Sequence, residues 1–245
     1  MAKKSRKPAR RASKPGLRAR GAAGLRRVRR WLVRGAAAGV VLLLLWVLAY
    51  RWIDPPTTPY IRSEAGRLGG VERTWVDLED LPGGVARSVV AAEDANFCRH
   101  WGFDVAAIRE AIADGGTRGA STISQQVVKN VFLWQGRSWP RKALETTLTP
   151  VMETLWPKRR VIEVYLNVAE FDEGVFGIEA AARRYFGRGA ADLTDRQAAL
   201  LAAILPNPKE RDAARPTDFI DRRARSIASG AATIRADGRS VCFED

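Results

Sequence analysis

The chain has 245 residues, with 41 lysines and arginines against 27 aspartates and glutamates, so its formal net charge is +14. That length accommodates one domain with a hydrophobic core, or two small ones. A single histidine and two distant cysteines exclude a histidine-rich metal centre and disfavour a zinc site.

The excess positive charge is confined to the N-terminus. Residues 1–34 carry fourteen basic side chains and no acidic one, which accounts for the whole net charge. The remainder is near neutral, so its composition does not require a nucleic-acid-binding surface. A nucleic-acid role for the tail stays as the weaker alternative, because a membrane signal directly follows it. We predict a basic cytoplasmic tail over residues 1–30 and no nucleic-acid partner.

A transmembrane helix is predicted over residues 31–53. Residues 35–50 contain no charge, and at about 1.5 Å per residue the predicted span crosses a hydrocarbon core of roughly 30 Å. Trp31, Tyr50 and Trp52 occupy interfacial positions. The basic flank is N-terminal, which places the tail in the cytoplasm and the later residues outside. A cleaved signal peptide is the alternative, disfavoured by the long basic region and the lack of a clear cleavage site.

After the span the sequence changes character. Residues 54–73 are rich in proline, glycine and threonine and are predicted to form a linker, with a weakly alternating, extended stretch at its end. Beyond it, apolar spacing close to 3.6 residues predicts helices, with Asp104 as an N-cap and Pro140 in a first helical turn. The pattern therefore predicts an all-α globular domain over residues 74–235.

Residues 236–245 are predicted to be a C-terminal tail, and they include the second cysteine. Cys98 and Cys242 would face an oxidising compartment and could pair, but two cysteines do not make a disulfide framework. Nothing in the sequence fixes the distance between them. Cys98 is accordingly predicted to be a residue on a helix face, and its pairing stays open.

Carboxylates are the remaining candidates for acid–base chemistry. A catalytic triad would have to use His100, and no nucleophile-elbow motif is present. Glu93 lies beside Ala92 and Phe97 at the border of an apolar helix face, where desolvation raises a carboxyl pKa toward the range of a general base. The alternative interpretation is a surface glutamate near a helix end.

Two later segments favour the catalytic interpretation. Arg141 and Lys142 precede Glu145 by four and three residues and share its helical face. Such a cluster suits a phosphate-bearing substrate, although it is equally an ordinary solvated salt-bridge face. Two hydroxyls and two amides crowd ahead of Lys129, and Arg137 adds another cation. This density of polar groups is typical of a site for a sugar or a diphosphate.

Four short motifs occur in order between Glu93 and Asn167. Their residues are Glu93, Asp94, Phe97, His100 and Gly102; Gly119, Ser121, Thr122, Gln125 and Gln126; Arg141, Lys142 and Glu145; and Lys158, Tyr165 and Asn167, with Val161 in place of an isoleucine. In this order and spacing they closely resemble the peptidoglycan glycosyltransferases of glycosyltransferase family 51, specifically the monofunctional biosynthetic type. The similarity weakens in an arginine-rich fifth motif and assigns no role to Arg222, Arg223 or Arg225.

The resemblance implies a lysozyme-like fold, with lipid II and a growing lipid-linked glycan as substrates. Glu93 would be the general base that acts on the acceptor 4-hydroxyl, with inversion of the linkage and departure of undecaprenyl diphosphate. Glu145 would be the second catalytic carboxylate, and Lys129 and Arg137 would hold the diphosphate. The other substrate-binding residues implied by the family are Asp94, Ser121, Thr122, Gln125, Gln126, Arg141 and Lys142.

The remaining motif residues are predicted to be structural. His100 would support the loop after Glu93 through a hydrogen bond, and Phe97 and Trp101 would lie in the core. The rest of this set is Gly102, Lys158, Tyr165 and Asn167. The apolar residues around Trp134 would either rest on the bilayer surface or pack in the core, and both interpretations stay open.

The resemblance also places the enzyme in the inner membrane, with the catalytic domain on the periplasmic side. Cell-division or cell-wall synthesis proteins are its candidate partners. No cofactor or resident metal is required, and assistance by a divalent cation is left open. Because donor and acceptor are both tethered to the membrane, a tethered enzyme meets them at a raised effective concentration.

Three other classes of protein are weighed against this one. A lysozyme-like hydrolase would also use a glutamate, but cleavage of a glycan needs no diphosphate-binding cations. A membrane-anchored scaffold with an inactive fold would not need both Glu93 and Glu145. A bifunctional penicillin-binding protein is not expected, because the chain ends at Asp245 and no Ser-x-x-Lys follows the anchor.

Overall fold

The structure is a computed structural model that describes residues 17–115, 119–136 and 138–244, and it is mainly helical. The helices are α1 (Leu17–Ala49), α2 (Pro59–Leu68), α3 (Gly83–Glu93), α4 (Val105–Ala113), α5 (Ile123–Phe132), α6 (Trp139–Leu155), α7 (Lys158–Val168), α8 (Ile178–Phe186), α9 (Asp195–Ile204), α10 (Asp218–Ala236) and α11 (Val241–Glu244). The chain divides into two compact units, residues 1–46 and residues 47–245. The all-α prediction is confirmed.

The first unit consists largely of α1. Within its stretch Arg26–Ala49, an 18-residue window has a mean hydropathy of 2.3, and the stretch is long and apolar enough to cross a membrane. Large apolar side chains along it are exposed, Leu42 by 66 %. The helix ends at Ala49, so residues 50–53 of the predicted span lie beyond its regular part.

The prediction of a linker over residues 54–73 is wrong, because this segment is folded against the domain. Helix α2 forms within it, and Thr58 caps the helix by accepting a hydrogen bond from the main-chain N–H of Ile61. At the end of the segment the Arg73 guanidinium donates to the main-chain oxygen of Asn167 at 3.1 Å. Proline-rich composition signalled the turns here but not the helix between them.

Two helical groups form the core of the second unit. Helix α3 packs against α9 and α10, and α5 packs against α6 and α7. The buried stripe of α3 consists of Val85, Ala86, Val89 and Val90, whose spacing is that of one helical face. This packing brings the C-terminal end of α3 next to the N-terminal end of α5, where the motif residues lie.

A small sheet completes the architecture. Its strands are β1 (Glu72–Arg73), β2 (Glu170–Asp172) and β3 (Val175–Phe176), in the order β1-β3-β2. β1 runs parallel to β3, and β2 runs antiparallel to it. The extended stretch predicted before the first core helix is therefore confirmed at β1.

Local signals for helix ends are confirmed. The carboxylate of Asp104 accepts a hydrogen bond from the N–H of Ala107 at 3.0 Å and caps α4. Pro140 lies in the first turn of α6, where the missing N–H has no helical partner to lose. These features depend on neighbours within four residues, which is why the sequence alone locates them.

Burial corrects one of the two predicted core aromatics. Phe97 is fully buried, as predicted, but Trp101 is 72 % exposed and the prediction that it lies in the core is wrong. Of the apolar residues near Trp134, Val131, Phe132 and Leu133 are buried in the core, whereas Trp134 is 47 % exposed. The packed-core interpretation therefore holds for three of these four residues.

The predicted C-terminal tail is also part of the fold. Cys242 in α11 forms a disulfide with Cys98, and the Cα atoms are 5.7 Å apart. Cys98 lies in a short 3₁₀ turn rather than on a helix face, so that prediction is wrong. Phe243 is buried beside Phe97, with ring centroids 6.2 Å apart, and Glu244 forms an ion pair with Arg87. The last residues thus brace the turn that follows Glu93.

Replacement of both cysteines, Cys98→Ser with Cys242→Ser, is expected to lower the free energy of unfolding by about 2–5 kcal/mol, because the bond closes a long loop. The two cysteines are 144 residues apart in the chain. Urea unfolding of the full chain in detergent, with and without a reductant, measures the difference. The reductant should bring the wild type to the stability of the double variant and leave the variant unchanged. A wild type indifferent to reduction would contradict the prediction.

Candidate active site

Glu93 is the last residue of α3 and faces the first turn of α5. The side-chain amide of Gln126 donates to its Oε2 at 2.9 Å. The other end of that amide is fixed as well, since the Tyr165 hydroxyl donates to the Gln126 oxygen at 3.3 Å. Tyr165 is buried. A buried phenol therefore orients an amide, and the amide orients the glutamate.

Burial raises the pKa of Glu93 above that of an ordinary glutamate, and the charge of Asp94 acts in the same direction. The hydrogen bond from Gln126 and the positive charges of Arg223 and Lys129 lower the pKa and only partly offset the burial. A carboxylate in this environment is more basic than one in water and is suited to accept a proton.

Asp94 connects the loop after α3 to the start of α5. Its Oδ1 lies 2.8 Å from Nε2 of His100, and its Oδ2 accepts the main-chain N–H of Ile123 at 3.0 Å. The side chain is buried. Both oxygens are engaged inside the protein, and the residue also lines the cavity that contains Glu93. Its assignment to substrate binding by the resemblance stays a prediction. His100 has the supporting hydrogen bond that the sequence predicts.

Gly102 allows the loop to approach α6 closely and to bond the residue that starts α5. Its φ of +83° lies in the left-handed region, and a Cβ added there would be 2.5 Å from Cγ2 of Thr149. Its carbonyl oxygen accepts the Thr122 hydroxyl at 2.6 Å. Thr122 and Gln125 form the capping box that starts α5. These two residues of the second motif therefore build the helix end, while Ser121 beside them is exposed.

Glu145 lies at the centre of a cation cluster. It is 3 % exposed; Arg141 donates to its Oε2 at 2.9 Å, and Lys142 donates to its Oε1. The Gln125 amide lies 3.4 Å from the same Oε1. The third motif therefore forms a buried ion-pair network rather than a solvated face, and it joins the second motif through Gln125.

Lys129 stands apart from that network. Burial lowers the pKa of its ammonium; the charges of Arg141 and Lys142 act in the same direction, and those of Glu145 and Glu93 oppose it. Within the described part of the chain, no carboxylate lies within salt-bridge distance of it. A half-buried ammonium without a carboxylate partner keeps its hydrogen-bond donors available to an anionic group. Arg137, the other predicted diphosphate ligand, lies outside the described residues.

The fourth motif is mostly internal. Nζ of Lys158 lies 2.7 Å from Glu153 and 4.3 Å from the centroid of the Phe97 ring. Asn167 is fully buried and bonds both main-chain groups of Val76. Both brace helix α7 against its neighbours. Tyr165 is the residue of this motif that is linked to Glu93, through the side chain of Gln126.

Two cavities meet at the pair of Glu93 and Gln126. Glu93 lines one of about 370 Å³, together with Asn96, Asp104, Glu110, Gly119 and Ser121. Gln126 lines the other, of about 360 Å³, together with Lys129, Asn130, Gln135 and Tyr165. The hydrogen bond between the two side chains therefore joins a residue of the cavity of Glu93 to a residue of the cavity of Lys129.

Sequence reasoning missed several residues of these walls. Asn96 donates to Asp104 at 2.9 Å, and both line the cavity of Glu93. Asn96 lies between Asp94 and Phe97 of the first motif, and this position could have identified it from the sequence as a residue near Glu93. Arg223, whose charge acts on Glu93, belongs to the arginine-rich segment to which no role was assigned. Among the described residues, no group of histidine, cysteine, aspartate or glutamate side chains is arranged to hold a metal ion.

Comparisons with known proteins identify the family of the chain. The Transglycosylase family model matches residues 62–232. A biosynthetic peptidoglycan transglycosylase from Jannaschia sp. (strain CCS1) is 61 % identical over 99 % of both chains. Proteins of the same name from Rhodospirillum centenum and Stutzerimonas stutzeri are 47 % and 48 % identical over 85 % and 77 % of this chain, and over 93 % and 82 % of their own. The chain therefore belongs to the transglycosylase family.

Proposed function

We propose that this protein is a peptidoglycan glycosyltransferase that polymerises lipid-linked disaccharide units, lipid II, into glycan strands. Its membership in the transglycosylase family and the names of its relatives support this class of reaction. The observation that carries the proposal is the placement of a half-buried carboxylate, Glu93, and a half-buried cation, Lys129, in two cavities that the Glu93–Gln126 hydrogen bond connects.

Glu93 is the general base. The acceptor 4-hydroxyl attacks the anomeric carbon of the lipid-linked donor and transfers its proton to the Glu93 carboxylate as the new bond forms. Attack from the face opposite the leaving group inverts the linkage from α to β. The raised pKa of Glu93 suits it to take a proton from a weakly acidic hydroxyl, and the hydrogen bond from Gln126 holds it in position.

Lys129 binds the leaving diphosphate. Negative charge grows on that group as the bond to the sugar breaks, and a cation in a desolvated position stabilises it more strongly than water does. Arg141 and Lys142 are tied to Glu145, which leaves Lys129 as the cation free to respond among these three. Glu145 acts indirectly, because its carboxylate holds Arg141 and Lys142 in place. Arg137 joins this group on the strength of the resemblance.

Lys129 also distinguishes a glycosyltransferase from a lysozyme-like hydrolase. A lysozyme-like hydrolase activates water against a sugar–sugar bond and releases no diphosphate. A half-buried lysine without a carboxylate partner near the base would give such an enzyme no advantage. The arrangement thus favours a diphosphate-leaving donor over a glycan chain as the substrate that is cleaved.

A membrane anchor fits lipid-linked substrates. Helix α1 is long and apolar enough to span a bilayer, and a basic segment precedes it. On this basis the tail is cytoplasmic and the catalytic unit lies on the periplasmic side of the inner membrane, where cell-wall synthesis proteins would be its partners. The disulfide of Cys98 and Cys242 suits that oxidising compartment.

Glu93→Gln is expected to lower kcat for lipid II polymerisation by about 10²- to 10⁴-fold, because it removes the base and keeps the side-chain shape. The measurement is glycan formation from fluorescent lipid II by the purified full chain in detergent. The matched control is Glu79→Gln, which changes an exposed glutamate outside both cavities. Equal polymer from Glu93→Gln and the wild type would remove Glu93 from this role.

The same variant should be more stable than the wild type at neutral pH. The folded state raises the pKa of Glu93, so the unfolded state ionises it more readily, and this group costs stability once the pH rises above its unfolded pKa. Thermal unfolding measures the gain in Tm. A variant that is both inactive and less stable would point to misfolding instead of a lost base.

Lys129→Met should lower kcat by roughly 10²- to 10³-fold with a smaller change in KM, because the lost charge acts mainly on the transition state. Arg215→Met, which removes an exposed cation of another surface, is the control. Polymerisation rates over a range of lipid II concentrations separate the two constants. A change confined to KM would assign Lys129 to ground-state binding alone.

Tyr165→Phe removes the hydroxyl that orients Gln126 and leaves the ring packed in the core. We expect kcat to fall roughly tenfold, because a misoriented amide misplaces the base. Tyr185→Phe is the control, since its hydroxyl bonds the main-chain oxygen of Phe171 away from the site. Unchanged kcat in Tyr165→Phe would show that Gln126 holds Glu93 without this support.

A further inference from the structure

The arginine-rich segment of α10 presents one of its arginines to the catalytic helix. Arg223, Ile227 and Gly230 are separated by four and three residues and share one face of α10. That face packs against α3: Ile227 is buried, and a Cβ added to Gly230 would be 3.3 Å from the Cβ of Ala91. Arg223 is therefore on the stripe that contacts the helix ending in Glu93.

The direction of packing places Arg223 near the end of α3. Arg235, late in α10, lines a small cavity with Gly84, at the beginning of α3. The two helices thus run in opposite directions, and residues earlier in α10 lie nearer the C-terminal end of α3. Arg223 precedes Gly230 by two turns, about 10 Å along the axis. This carries it past Ala91 toward Glu93.

Arg223 also differs from its neighbours in what it contacts. Its Nε is buried and has no hydrogen-bond partner within the described part of the chain. Arg225 is instead exposed and paired with Asp221, and Arg222 is exposed. A guanidinium turned inward without a satisfied hydrogen-bond set is not explained by surface solvation.

We propose that Arg223 is a positioning residue for glycosyl transfer. Its guanidinium extends from α10 toward the end of α3, and its positive charge keeps the Glu93 carboxylate ionised until the acceptor binds. This inference rests on the proposed role of Glu93 as the base. It gives a function to a segment that the motif resemblance leaves without one.

Of the groups that act on the pKa of Glu93, Arg223 supplies a positive charge that does not also bind the diphosphate. Asp94, on the same loop, opposes ionisation of Glu93, and Gln126 from α5 is neutral. Lys129 from α5 favours ionisation, but its charge is compensated once a diphosphate binds it. Arg223 lies on a helix outside that site, so its charge on Glu93 persists in the loaded enzyme. The base can then be ionised when both substrates are present.

The test is the pH dependence of kcat/KM for lipid II polymerisation by the full chain, with Arg223→Gln and Arg223→Met as neutral variants. Removal of a cation that lowers the pKa of Glu93 raises that pKa, so the acidic limb of the profile should move to higher pH. Each variant should lose roughly three- to tenfold more activity at about pH 5 than at about pH 8. Arg223→Lys keeps the charge and should follow the wild-type limb.

Arg225→Gln is the matched control, because it removes an exposed charge two residues away on the same helix and should leave the limb in place. A uniform loss across pH in the neutral variants would overturn the proposal and assign Arg223 a packing role. Failure of both neutral variants to fold would overturn it in the same way. An inactive wild type would contradict the proposed function itself, whereas an active wild type with an unmoved limb in the variants contradicts only this inference.

Discussion

The two hydrogen bonds of the buried Asp94 carboxylate set the geometry on which the site depends. One oxygen holds His100 and the other holds the main-chain N–H of Ile123, so the turn after α3 is tied to the start of α5. Glu93, one residue earlier, is thereby directed toward the first turn of α5, where the side-chain amide of Gln126 donates a hydrogen bond to it. The buried side chain of Asp94 thereby fixes the position of the end of α3, where Glu93 lies.

The site carries a cost in stability that its surroundings offset. A buried carboxylate is expensive unless it is hydrogen-bonded or paired. Glu145 is compensated directly by two cations and an amide. Within the described residues, Glu93 has one side-chain hydrogen bond and no ion pair, so the effect of burial prevails and its pKa stays raised. The two carboxylates therefore differ in their partners: Glu145 is held in an ion-pair network, and Glu93 has the environment that suits a proton acceptor.

The segments at both ends of the catalytic unit brace this arrangement from outside. On the N-terminal side, helix α2 folds within residues 54–73, and Arg73 at the end of that segment bonds the main-chain oxygen of Asn167. At the other end, the disulfide of Cys242 with Cys98 and the packing of Phe243 hold the turn that follows Glu93. Loops at a functional site need support that packing on one face does not give, and here residues 54–73 and the last helix supply it.

The sequence by itself determined the helical class, the apolar span, the helix caps such as Asp104, and the motif residues, because each depends on neighbours a few positions apart or on a distinctive residue order. Only the tertiary structure decided that Cys98 meets Cys242, that residues 54–73 contain a folded helix, that Trp101 is exposed, and that Arg223 faces the catalytic helix. These outcomes depend on which surfaces of distant segments pack together, such as the two cysteines 144 residues apart. Local periodicity carries no record of that packing.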